Sequence, residues 1–80
     1  MIVHVRIQKE EPSFREIQEL IGGYFILINV VVENQVPAVM YVNEMGELSG
    51  LSLNQEASEL TGFDVFGDTV LWLAEGSPVL

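Results

Sequence analysis

Apolar and polar positions alternate from Ile2 to Ile7, with Val3, Val5 and Ile7 on one side and Ile2, His4 and Arg6 on the other. A two-residue period predicts a half-buried strand. Gln8 to Pro12 is polar and reads as a loop. From Ser13 the period changes: Phe14, Ile17, Leu20 and Ile21 form an apolar stripe at helical spacing. Ser13 and Glu16 make a capping box, in which hydroxyl and carboxylate satisfy each other's free N–H groups. Gly22 supplies the left-handed stop and Gly23 a sharp turn. Tyr24 to Val32 is the most apolar run, and its β-branched and aromatic content predicts a strand. Both its faces are greasy except at Asn29, which predicts a central strand covered on both sides.

Glu33-Asn34-Gln35 reads as a turn into a strand from Val36 to Val42, with Pro37 confined to its start or to a sheet edge. Asn43 to Gly46 is a second turn, with Gly46 free to take positive φ, and Leu48 to Leu51 is a candidate short strand. Ser52 is the expected cap of a second helix, with Gln55 in the reciprocal position. Leu53, Ala57 and Leu60 share its apolar face and Gly62 ends it. Gly67-Asp68 turns into a last strand, Thr69 to Ala74. The order β-α-β-β-(β)-α-β predicts an α+β fold: a small mixed or antiparallel sheet with both helices packed on one face, against Tyr24–Val32. Residues 1–74 form a single domain and 75–80 a loose tail.

Composition adds a problem of burial. Eighty residues make one domain, and a chain of that size hides only about 60% of the surface its unfolded form exposes. With 49% apolar residues and no cysteine for a staple, the chain carries more apolar side chain than one small core can cover. Association with itself is the expected remedy. Twelve acidic residues against three basic ones (Arg6, Lys9 and Arg15) give a net charge of -9. That excludes direct binding to nucleic-acid phosphates, which needs clusters of Lys and Arg, and disfavours anionic lipid. No run reaches the roughly 18 apolar residues of a membrane span, and Arg6 and Lys9 interrupt any signal peptide, so a cytoplasmic protein is expected.

The side chains that make and break bonds are scarce. His4 is the only imidazole, on the polar side of an edge-like strand with no nucleophile implied beside it. The i,i+3 pairs Glu16/Glu19 and Glu56/Glu59 read as solvated helix faces. Asp64 and Asp68 lack the EF-hand pattern, and Gly22-Gly23 follows a helix, so it is no phosphate loop. No metal and no cofactor are expected, and the chain reads as a binding protein that is not an enzyme. Tyr24, Tyr41 and Trp72 are candidates to stack on a base, with Arg6 and Arg15 to meet a phosphate and Asn43 and Asn54 to recognise an amide. Glu44, Glu47, Glu56 and Glu59 are candidates for an acidic face that meets a basic partner.

Four stretches carry a resemblance: Leu20-Ile21-Gly22-Gly23-Tyr24-Phe25, Val42-Asn43-Glu44-Met45-Gly46-Glu47-Leu48-Ser49-Gly50-Leu51, Asn54 with Ala57, and Gly67-Asp68-Thr69-Val70. Together they resemble a family of small domains of unknown function found in phages, bacteria and archaea. The likeness covers most of residues 2 to 73. The chain departs from the family at Phe25-Ile26-Leu27, where an acidic residue is common, and at Leu53, where a proline is common. The resemblance implies no catalytic residues. It implies an origin on a phage or other mobile element, hence an antagonist of host defence or regulation. Such a protein acts by occluding a host protein or by sequestering a nucleotide-like signal at an oligomer interface. Two alternatives stand beside it: an acidic nucleic-acid mimic that blocks a DNA- or RNA-binding protein, and a purely structural oligomerisation module.

Overall fold

The structure is a computed structural model that describes residues 1–74; the expected loose tail lies outside them. Four strands and two helices follow one another as β1 (Val3–Gln8), α1 (Phe14–Ile21), β2 (Phe25–Val32), β3 (Val36–Asn43), α2 (Gln55–Thr61) and β4 (Thr69–Ala74), with a single 3-10 turn, Glu33–Gln35, between β2 and β3. They form one mixed sheet in the order β1-β4-β3-β2. β1 lies parallel to β4, while β3 is antiparallel to both β4 and β2. The class is the expected α+β.

Strand order departs from expectation where it matters most. β2, the greasiest segment, is an edge strand and not the covered centre. Hydropathy alone cannot separate a strand buried by its own chain from one left bare. The central strands are β3 and β4, in which Met40, Tyr41 and Val70 are fully buried. Pro37 sits at the start of β3, short of the residues Val39–Tyr41 that pair with β4, so its missing N–H breaks no bond there.

The helices lie on opposite faces of the sheet, not together on one. α1 sets Ile17 and Ile21 on Tyr41 and Val70. α2 sets Ala57 on Val30, Ala38, Met40, Val42 and Leu71, with Val65 beside them. Because neighbouring strand residues point to opposite faces, Tyr41 and Met40 necessarily serve different helices. Two eight- and seven-residue helices are too short to cover both faces, and Phe14 and Leu53, expected in the core, stay largely exposed.

The caps differ in detail. Ser13 Oγ accepts from the Glu16 N–H as expected, but the Glu16 carboxylate pairs with Arg6 instead of closing the box. Gly22 takes φ 86 and ends α1 as expected. The N-cap of α2 is Asn54, not Ser52. Residues 48–50 lie in turns, Leu51 is in no regular element, and no strand forms there; Leu53 makes a β-bridge to Phe66. Gly46 is not among the residues with positive φ; its lack of a side chain lets the Phe66 carbonyl pack against it.

Tyr41 buries its ring in the α1 layer, edge-on to Phe25, and its hydroxyl donates to the Glu11 carboxylate. Burial first, then the bond to Glu11 and its negative charge, push the phenol's pKa well above the ordinary tyrosine value. A folded-state pKa above the unfolded value of about 10 gives a contribution that is full below that value and lost as pH climbs past it. The urea midpoint should therefore fall above about pH 10, and Tyr41→Phe should flatten that fall.

Candidate interaction surface

The sequence-predicted binding residues do not gather into an open site: Arg6 and Trp72 stand side by side as partners on β1 and β4, but both side chains are engaged within the fold. Tyr41 and Asn54 are fully buried, so neither side chain is open to a ligand. Asn43 serves its turn, with Oδ1 accepting from the Met45 N–H and Nδ2 donating to the Ile21 carbonyl. The Trp72 indole packs half-buried against the α1 layer and donates to the Gln8 carbonyl at 2.9 Å. The Arg6 Nε donates to Glu16 Oε2 at 3.0 Å. Of the seven, Arg15 and Tyr24 are the ones left exposed, and neither lines any of the four best-formed depressions. These positions do not assemble a nucleotide-sized pocket.

The acidic candidates fare differently. Glu44 and Glu47, from the turn after β3, and Asp64, from the loop after α2, line one depression of about 180 Å³. The rest of its lining is the sequence-predicted Asn43 and the apolar side chains of Ile26, Val42, Phe63, Val65 and Phe66. Phe63 is 51% exposed at its mouth. A second, shallower hollow adjoins it, where Gln55, Ser58 and Glu59 of α2 share Phe63 and Asp64 with the first. Glu56 is exposed on the same short helix. Carboxylates from three segments thus surround one accessible aromatic ring, and no basic residue lines either hollow. All three basic residues lie on β1, the loop after it, and α1. Sequence reasoning missed Phe63, Asp64 and Phe66. The signal was a pair of aromatics bracketing an aspartate between the turn glycines Gly62 and Gly67.

A second bare region is the outer edge of β2. Leu27 is 59% and Val31 58% exposed. Beside them Glu11, Pro12, Phe14, Ile17, Phe25 and Leu27 line a mostly apolar groove of about 400 Å³. The strand carries no charged residue and no proline, the devices that usually protect an edge.

His4 does gain a partner: its Nε2 lies 3.4 Å from Asp68 Oδ2. Asp68 Oδ1 also accepts from the Ile2 N–H, so the pair fastens β1 beside the start of β4. Among the described residues the His4 ring hydrogen-bonds to Asp68 and to no hydroxyl, and no group of three His, Asp or Glu side chains is placed to hold a metal ion. No described helix is long and apolar enough to cross a membrane.

No family model, curated protein or solved structure matches the chain. The residues that carry the family resemblance have work within the fold itself. Gly22 ends α1, Asn43 pins its turn, Asn54 caps α2, and Gly67 takes φ 94 against Leu51. Pattern at these positions therefore reports on folding before it reports on a partner.

Proposed function

We propose that this protein is a stoichiometric, non-catalytic binder that occupies a basic protein surface through the acidic depression around Phe63. The observation that carries the reading is the ring itself: a half-exposed aromatic whose charged neighbours, Glu44, Glu47, Glu59 and Asp64, are all acidic, with no basic residue lining either hollow. A large aromatic anchor in a charged surround has the anatomy of an interface hot spot, and a one-signed rim steers an oppositely charged partner. The resemblance to phage and prokaryotic domains supports the biological form of the reading, an antagonist that works in the host cytoplasm by covering a defence or regulatory protein. Sequestration of a nucleotide-like signal has less support, because Tyr41 and Asn54 are enclosed and the arginines lie away from the depression.

The test is a paired capture from lysate of a phage-susceptible bacterium, with wild type, Phe63→Ala and the double variant Glu44→Lys/Glu47→Lys as baits. A protein held by wild type and lost from both variants supports the reading. Capture that ignores both variants, or a nucleotide co-purifying with the wild-type protein, counts against it. One observation favours a narrower form, mimicry of nucleic acid: beyond the rim, a further exposed carboxylate, Glu56, stands three residues before Glu59 on α2. A mimic should lose its partner steeply as salt rises, as phosphate-binding proteins lose nucleic acid; an aromatic-anchored contact should lose it gradually.

A further inference from the structure

The edge of β2 has a property that hydropathy does not reveal. Strand residues send their backbone N–H and C=O groups alternately to one neighbour and then the other. The Glu44 N–H donates to the Tyr24 carbonyl at 3.0 Å, across the directly opposed pair that continues the β2–β3 register. Even-numbered positions of β2 therefore point their backbone groups at β3. Phe25, Leu27, Asn29 and Val31 point theirs outward. Among the described residues no hydrogen bond reaches those outward groups.

We infer that β2 pairs antiparallel with β2 of a second copy, about a two-fold axis passing beside Ile28, to make one continuous eight-stranded sheet. The register follows from the free groups. With Ile28 opposite its own symmetry mate, Phe25 faces the partner's Val31 and Leu27 faces the partner's Asn29. All four outward residues of each strand then fall in hydrogen-bonded pairs, giving about eight bonds across the axis. Shifting the centre to Leu27 or to Asn29 leaves one end of the set unpaired. The side chains agree with this register. An antiparallel two-fold keeps the faces of the sheet matched, so on the α1 face the exposed Leu27 meets the partner's Asn29 and the exposed Val31 meets the partner's Phe25, and Ile26 meets the partner's Val30 on the other. The partner's Val31, arriving beside Phe25, enters the apolar groove under Phe14. The contact line is free of charge, so two chains of net charge -9 meet where their repulsion is least. A self-complementary patch of this kind is what a closed two-fold dimer requires, and it removes one unprotected edge of the sheet.

This inference does not depend on the Phe63 reading, since Phe63 lies outside the pairing line. It has a structural consequence for it: both acidic depressions come to the same face of the joined sheet.

Sedimentation of the purified full-length chain is the test, with hydrogen exchange of the wild type and two variants beside it. Asn29→Pro removes an N–H that points outward, a place where an edge strand tolerates proline, so the monomer should still fold while pairing is blocked. Leu27→Lys places two like charges across the axis as an independent block. The expected result is a wild-type mass twice the 8.9 kDa of one chain, slow exchange at the amides of residues 25, 27, 29 and 31, and a monomer with unchanged circular dichroism for at least one variant. A wild-type monomer at all concentrations would overturn the inference. So would a dimer that both folded variants leave intact, or one whose outward β2 amides exchange freely.

Discussion

Asn54→Ala should lower the melting temperature by about 12 °C or more, the largest single loss expected outside the apolar core. This side chain is fully buried at the junction of three segments. Its Oδ1 accepts from the Ala57 N–H and caps α2 at 3.0 Å. Its Nδ2 donates to the Gly67 carbonyl at 2.9 Å and to the Ile2 carbonyl at 3.0 Å. One amide thus holds the start of α2, the entry to β4 and the entry to β1. The cap is worth about 1 kcal/mol. Each further hydrogen bond nets about 1 kcal/mol, and a buried acceptor left without a partner costs more. The Ile2 carbonyl keeps the Thr69 N–H; the Gly67 carbonyl has no such second donor among the described residues. The sum is about 3–4 kcal/mol, against a total of about 4–12 kcal/mol for a domain of this length. Asn54→Asp keeps the cap but turns two donors into an acceptor that faces carbonyls. It should also destabilise, and less so at acidic pH, where the protonated carboxyl regains one donor. Thermal melts of both variants across pH check the pair.

Gly46→Ala should cost about 3 kcal/mol, the upper end of what overpacking does, although it adds one methyl group in a turn. A Cβ at this position would collide with the backbone carbonyl oxygen of Phe66, with the Phe66 carbonyl carbon at 3.1 Å and its Cβ at 3.3 Å behind. A backbone carbonyl cannot rotate away as a side chain can, so the turn of residues 43–51 must lift off the loop of residues 65–67. The Leu51 N–H donates to the Gly46 carbonyl at 3.0 Å, and that bond would move with it. The same displacement would open the depression at Glu44 and Glu47, so capture of a partner should weaken along with the urea midpoint. Gly23→Ala is the control. Its added Cβ would meet the Asn43 Nδ2 at 3.6 Å, an ordinary contact, and the midpoint should hardly change. Equal losses at the two glycines would refute the steric account.

Local chemistry was legible wherever a few neighbouring residues decide the outcome. The period-two pattern of β1, the helical stripe of α1, the Ser13 cap, the Gly22 stop and the position of Pro37 needed only short-range sterics and hydrogen bonding. The α2 cap shows where local rules stop. Ser52 and Asn54 both satisfy the local rule for a cap, and the choice fell to Asn54 because only an amide can also donate to Gly67 and Ile2, residues brought near by the sheet. The turn pattern around Gly46 implies a conformational need, but the need is spatial, set by a loop about twenty residues away. Of the candidate site, the carboxylates Glu44, Glu47 and Glu59 were visible as charges. Their grouping around Phe63 was not, since it depends on how the turn after β3 meets the loop after α2.

Sequence alone determined the kind and order of the four strands and two helices, the α+β class and the acidic, cysteine-free character of the chain, because each follows from local periodicity or from simple composition; it left 48–51 open as a further strand, which the structure does not form. Tertiary structure alone decided that β2 lies at an edge, that the helices divide between the two faces, and that Phe63 stands inside an acidic ring. Hydrophobicity states how much surface a segment needs covered; strand order states what is available to cover it. In so small a sheet, with two short helices on opposite sides, β2 is left with one side unpaired.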